Sequence, residues 1–178
     1  QYVLNPNQLT QTERQSLFQA IDLLRYSQVV IDGRTLTFSE FYNRFIDEVY
    51  ADAFINALRA SKSVEEVGQQ HKKRVKLEIP IRFTQEGWYL SESPEIRFLL
   101  AFCLYWWEAF ATGYTFEVTI LQDLADSGLD FQAHDLRQRS ERYTEADFVI
   151  SGLVGDVKSS AYFFFTARSA ELPHDLYI

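Results

Sequence analysis

The stretch Ala146-Asp147-Phe148-Val149-Ile150-Ser151-Gly152-Leu153-Val154-Gly155-Asp156-Val157-Lys158-Ser159-Ser160 constrains this chain more than any other. Two short apolar runs flank Ser151-Gly152-Leu153, and a glycine in so short a connection lets the backbone reverse tightly. The pattern predicts two strands with a turn between them. Side chains alternate along a strand, so Asp156 and Lys158 share one face while Val157 points the other way, into a core. Asp147 begins the preceding strand and comes alongside. Two carboxylates and one ammonium are thereby held together, a set that can bind a divalent cation and stabilise charge on a phosphate. Oxygen ligands of this kind suit magnesium, which takes one or two carboxylates, several waters and a substrate phosphate. Water on such a metal is a strong nucleophile near neutral pH.

Composition bounds the rest. With 178 residues, 47% of them apolar and 16% aromatic, the chain can build one well-buried core, or one domain with a smaller appendage. Its single cysteine, Cys103, lies within the apolar run Phe98-Leu99-Leu100-Ala101-Phe102-Cys103-Leu104-Tyr105-Trp106-Trp107 and reads as a buried small hydrophobe. One cysteine excludes a disulfide or a cysteine zinc site within one chain. The same run, bounded by Arg97 and Glu108, is too short and too charged at its ends to span a membrane. No basic-then-apolar leader opens the sequence, which predicts a cytoplasmic protein without a membrane partner. There is no methionine, so the first residue is expected not to be the natural start, and the chain to be a piece of something longer.

The net charge of −8 argues against tight, sequence-independent gripping of long duplex, which needs concentrated Lys and Arg. It leaves cleavage open, because a metal ion supplies local positive charge and its acidic ligands add to the negative total. The cations that exist are clustered. His71-Lys72-Lys73-Arg74-Val75-Lys76 forms one group, and Arg137, Arg139 and Arg142 form another shortly before the two predicted strands. Each cluster reads either as a solvated surface stretch or as phosphate contacts.

Along the chain, Thr10-Gln11-Thr12-Glu13 has the form of a capping box and predicts a helix over about residues 11–27. Asp32-Gly33 between Val29-Val30-Ile31 and Arg34-Thr35-Leu36-Thr37 predicts a hairpin. Ser39 is expected to cap a second helix with Phe41, Phe45, Val49, Phe54 and Leu58 on its apolar side. The polar stretch 61–74 reads as a boundary, dividing a mainly helical region with a short hairpin, 1–73, from a core, 74–178. Val75, Leu77, Ile79 and Ile81 alternate with polar residues and Pro80, which predicts an edge strand. Ser93-Pro94 opens an aromatic helix through about Phe110, apolar nearly all round and so expected to lie between layers or against a partner chain. Gly113 is expected to break that helix, and Thr115 to cap a new one that ends at Ser127-Gly128. Leu129 to His134 alternate as a strand, and Ala161 to Thr166 extend the last strand or add another. The order of helix then strands predicts an α/β or α+β domain, a central sheet flanked by helices.

An acid-x-lysine triplet alone carries little weight in a chain this acidic. In its setting it resembles the PD-(D/E)XK nuclease superfamily, the restriction-endonuclease-like fold. Phe116-Glu117, with the helix running on to Asp126-Ser127-Gly128, resembles that superfamily's acidic helix. Ala146-Asp147 resembles its second-strand motif, with alanine where proline is frequent, and Gly155-Asp156-Val157-Lys158-Ser159-Ser160 its third, with aspartate for the commoner glutamate. The matched region covers about 113–166. The resemblance implies a central mixed sheet flanked by helices, a magnesium or manganese ion, and DNA as partner. It implies Asp147 and Asp156 as primary metal ligands, Glu117 as a ligand directly or through water, and the Val157 carbonyl as an additional one. It implies that Lys158 sits near the attacking water, orienting it or stabilising its hydroxide form.

Other residues weigh less. His134 can assist the chemistry or bind metal, although a lone strand histidine is more often a surface or hydrogen-bonded residue. Ser159 can orient the pocket or simply be solvated, and Glu95 and Glu108 are rival sources of the helix carboxylate. The fold that the resemblance implies continues past the acid-x-lysine strand, whereas this sequence ends at Leu176-Tyr177-Ile178, which resembles the start of a strand. A longer natural protein is the preferred expectation, with completion of the sheet by earlier elements the other. The expected function is a metal-dependent endonuclease hydrolysing DNA phosphodiester bonds with metal-activated water. The alternative is a non-catalytic nuclease-fold module for binding or assembly, using the aromatic helix for self-association or a larger complex.

Overall fold

The computed structural model describes residues 10, 12–13, 16, 19, 26–31, 33–88, 94–135, 138, 146–159 and 174–178, apart from the side chains of Ile31, Arg34 and Glu95. It is mixed α/β, and it divides into one unit of residues 1–45 with 160–172 and another of 46–159 with 173–178.

In the first unit, Gly33 does what turn chemistry dictates. Strands β1 (Gln28–Ile31) and β2 (Arg34–Thr37) pair antiparallel with Ile31 opposite Arg34, so the reversal takes two residues, and Gly33 has the positive φ of 72° that such a turn requires. The Thr10–Glu13 capping box is formed, with Thr10 N donating to Glu13 Oε2 at 2.9 Å and Glu13 N to Thr10 Oγ1 at 3.3 Å. Most of the helix expected after it lies outside the described residues. Helix α1 (Phe38–Tyr42) is capped by Thr37 and not by Ser39: Glu40 N donates to Thr37 Oγ1 at 3.2 Å and Thr37 N to Glu40 Oε2 at 2.7 Å. A cap sits where extended backbone gives way to helix, and that change falls at Thr37, leaving Ser39 already helical.

A π-helical turn, Asn43–Asp47, leads into α2 (Glu48–Ala60). Its wider turn re-phases the residues after it. Ile46, Ala51, Phe54, Ile55 and Leu58 are buried, whereas Val49, expected on the apolar side, is 46% exposed.

The strand expected at 75–81 is helical. Helix α3 (Val64–Gln85) runs through it, and through the boundary expected between residues 73 and 74; the chain passes from one unit to the other between Phe45 and Ile46 instead. Burial follows the helical period: Val75, Ile79 and Phe83 are buried, while Leu77 and Ile81 are 65% and 58% exposed. The apparent alternation is therefore one buried stripe interleaved with solvent-facing apolar residues. Pro80 lies inside the helix, where its missing N–H leaves the Lys76 carbonyl without its usual donor.

Helix α4 is longer than expected, a single run Pro94–Asp126. Gly113 does not break it and Thr115 does not cap a new one. Thr115 Oγ1 instead donates to the Ala111 carbonyl at 2.7 Å, one turn back, which satisfies the hydroxyl inside a continuous helix. The end at Ser127-Gly128 is as expected, with Gly128 at φ 72°.

Helices α2, α3 and α4 pack through large side chains. Trp107 is fully buried, stands edge-on to Phe54 with ring centroids 5.5 Å apart, and donates from Nε1 to the Lys72 carbonyl at 3.2 Å. Burying such a ring stabilises the packing by about 2–3 kcal/mol. Gly68 of α3 lies against Thr115 of α4 so closely that a Cβ there would meet Thr115 Oγ1 at 2.4 Å. Lys72 and Lys76 of the expected basic cluster both pair with Glu108 across this contact, and Arg74 pairs with Glu78 on its own helix.

Beyond α4 comes a four-stranded mixed sheet in the order β3 (Phe131–Ala133), β4 (Phe148–Ile150), β5 (Leu153–Asp156), β6 (Leu176–Tyr177). The first three strands are antiparallel neighbours, and β6 runs parallel to β5. Ser151 and Gly152 both have positive φ, 52° and 82°, and connect Ile150 to its partner Leu153 as a two-residue turn. The apolar end Leu176-Tyr177 thus sits beside the acid-x-lysine strand. Residues 161–166, expected as strand, lie outside the described residues. Among the described residues, no helix is long and apolar enough to cross a membrane.

Candidate metal centre

Register brings the site together. Phe148 of β4 pairs with Ala133 on one side and Gly155 on the other, so one residue further along each strand stand His134, Asp147 and Asp156. Backbone bonds continue the pairing to that level: His134 N donates to the Asp147 carbonyl at 3.1 Å, and Asp147 N to the Gly155 carbonyl at 2.9 Å. The Phe148 ring lies directly over Gly155, where an added Cβ would come within 2.2 Å of Cζ, so glycine is needed at that position. Helix α4 supplies the fourth group, Glu117, which is 8% exposed.

Glu117, His134 and Asp147 each offer a donor atom, and these atoms lie within 4.8 Å of one another. His134 Nε2 is 2.7 Å from Glu117 Oε1, and His134 Nδ1 is 3.8 Å from Asp147 Oδ1. A hydrogen bond to the backbone of Ala146 also holds the imidazole. Two carboxylates and an imidazole at this spacing suit one divalent cation. Asp156 stands next to this trio. Its carboxylate, only 3% exposed as a residue, pairs with Lys158 Nζ at 2.6 Å and is hydrogen-bonded to Asp147. Val157 N donates to Asp147 Oδ2 at 2.7 Å, which fixes that carboxylate from behind.

The cluster strains against its own negative charge. Burial pushes the Asp147 carboxyl up to about 7, aided by its hydrogen bond with Asp156 and the charge of Glu117, with the Val157 N–H pulling the other way. For His134, burial opposes the charged ring, but the hydrogen bond and charge of Glu117, followed by Asp147 and Ala146, outweigh it and the imidazole titrates above its ordinary value. What the two shifts share is the crowding of carboxyl groups, which favours added positive charge, whether a proton or a metal ion, while burial raises Asp147 and opposes the charged His134.

Of the residues singled out from sequence, Glu117, Asp147, Asp156, Val157 and Lys158 all come to this place. The three-donor group differs in composition from the expected ligand set, since it holds His134 and leaves Asp156 on Lys158. No local pattern marks His134 as special. Its position at the level of Asp147 becomes informative only when the pairing of β3 with β4 is known. Ser159 is exposed and lies over α4 near Gly113, one helical turn before Glu117. Glu108 is engaged by Lys72 and Lys76, whose hydrogen bonds and charges hold its carboxyl below the ordinary range. Arg137, Arg139 and Arg142 lie outside the described residues, as does the Glu95 side chain. Beside His134, an open groove of about 420 Å³ is lined by Arg59, Leu121, Phe131 and Asp135, with Arg59 and Asp135 3.9 Å apart.

No protein-family model matches the chain, and neither does any curated protein or solved structure.

Proposed function

We propose that this protein is a metal-dependent endonuclease that hydrolyses phosphodiester bonds of DNA, built on a restriction-endonuclease-like core of the PD-(D/E)XK kind. The observation that carries this reading is the meeting of Glu117, His134 and Asp147 beside the Asp156–Lys158 pair at one end of three adjacent strands. The sequence of elements is in keeping with it, from an acidic helix through three antiparallel strands to a further strand parallel to the third.

A magnesium or manganese ion held by Asp147 and its neighbours would supply Lewis acidity and a water of lowered pKa. The chain's own residues do the remainder. The Val157 N–H orients Asp147, and Asp156 holds the Lys158 ammonium at the pocket, where it can meet negative charge on a phosphate. On this reading a nucleic-acid strand would approach along the groove beside His134, whose wall carries Arg59 paired with Asp135.

A second reading has support from α4. Phe98, Tyr105 and Phe116 are exposed along that helix, which suits a binding or assembly module. One experiment separates the two: plasmid and single-stranded DNA are incubated with Mg²⁺ or Mn²⁺ and either wild type or Asp156→Asn. The nuclease reading expects cleavage that depends on the ion and is lost in the variant. No cleavage by wild type, or equal cleavage by both proteins, refutes it.

A further inference from the structure

The donor set also speaks to which ion the centre takes. Oxygen-only pockets suit magnesium, whereas an imidazole ligand favours the later divalent metals, whose affinities for nitrogen rise along the first transition row. His134 lies between the two carboxylates, and an ion bound there would take the place of the proton it shares with Glu117. One ring nitrogen, Nε2, faces the carboxylate of Glu117 at 2.7 Å, and the ring is pinned by the backbone of Ala146. Commitment of one imidazole nitrogen to a backbone partner fixes the tautomer and aims the other at the ion. The side chain is only 9% exposed, so little water competes for it, and β3–β4 pairing fixes its backbone against Asp147.

We infer that His134 binds the ion through its imidazole together with Glu117 and Asp147, and that this nitrogen ligand makes the centre prefer manganese or another transition ion to magnesium. The inference rests on the reading of this cluster as a metal centre and names its selectivity. Glu117 and Asp147 attract any divalent cation by charge, while His134 discriminates among them. Removing a carboxylate and removing the imidazole therefore have different signatures: the first weakens both ions alike, the second weakens the transition ion selectively.

The test is direct binding of Mn²⁺ and of Mg²⁺ to the full chain at pH 8 by calorimetric titration, for wild type, His134→Ala and Glu117→Gln, with pulsed electron paramagnetic resonance of the Mn²⁺ form. Wild type is expected to bind Mn²⁺ more tightly than Mg²⁺ and to show nitrogen modulation from a coordinated imidazole. His134→Ala is expected to lose about tenfold or more in Mn²⁺ affinity and the modulation with it, with a much smaller loss for Mg²⁺. Glu117→Gln is expected to weaken both and keep their ratio. An unchanged Mn²⁺-to-Mg²⁺ ratio in His134→Ala, or no nitrogen modulation in wild type, overturns the inference; if the alanine variant does not fold, the wild-type spectrum decides alone. Nitrogen-coordinated Mn²⁺ without DNA cleavage would defeat the nuclease reading and leave this inference standing. Cleavage in Mg²⁺ with no imidazole signature would do the reverse.

Discussion

Replacing Asp147 with asparagine is expected to change how stability depends on pH. In the metal-free protein, burial and the neighbouring carboxyls raise Asp147 from 3.8 to about 7. A folded-state value above the unfolded one means that the fold favours the protonated carboxyl. That stabilisation is complete below pH 4 and is lost as pH rises through about 7. A shift of this size corresponds to about 4 kcal/mol at the full linkage value. The site opens to a groove and the group keeps some contact with solvent, so screening reduces this to about 2 kcal/mol. Asparagine keeps an oxygen to accept from the Val157 N–H, yet cannot ionise. Urea unfolding in EDTA at pH 4.5, 6.5 and 8.5 should show wild type losing about 2 kcal/mol more than Asp147→Asn across that range, about 4–8 °C in Tm for a domain of this size. His134, also raised and in part by Asp147, loses its contribution in the same direction, and the part that depends on the Asp147 charge adds to the wild-type loss. Parallel stability curves for the two proteins would refute the claim that Asp147 is held protonated by its surroundings.

Three further outcomes are expected. Gly68→Ala should destabilise by about 1–3 kcal/mol in urea melts, because its Cβ would collide with Thr115, and Thr115→Ala in the same chain should recover part of that loss. Ile79→Ala should cost about 2–5 kcal/mol while Leu77→Ala and Ile81→Ala stay within about 1 kcal/mol, a contrast that a strand burying all three would not produce. Ser151→Gly should raise the free energy of unfolding from urea melts by about 1 kcal/mol, since a non-glycine residue at φ 52° carries a steric cost that glycine lacks.

Where local chemistry decides the conformation, the sequence was legible. Gly33 and Ser151-Gly152 take positive φ in the short reversals of the two hairpins, and Gly128 does so at the end of α4. That Asp147, Asp156 and Lys158 lie near one another was legible because a hairpin brings them together within a dozen residues, whereas Glu117 entered only through the family resemblance. Residues 75–81 were misleading: a run of alternating apolar residues satisfies a strand, and one stripe of it equally satisfies a helix. The competition was settled by Val75, Ile79 and Phe83 packing as a single face, strongly enough to hold Pro80 inside a helix.

The sequence by itself determined the tight turns, the Thr10–Glu13 capping box, the glycine end of α4 and the acidic and basic groups available to a site, because these depend on a few neighbouring residues and their backbone preferences. Tertiary structure decided the rest. Thr115 became a packing residue against Gly68 instead of a cap, because close approach of α3 and α4 and a bond to the Ala111 carbonyl made the unbroken helix the better arrangement. His134 joined Glu117 and Asp147 because strand register and helix packing placed three residues, 30 positions apart in sequence at the extremes, within 4.8 Å. Such a meeting is a property of long-range pairing, which no local pattern encodes.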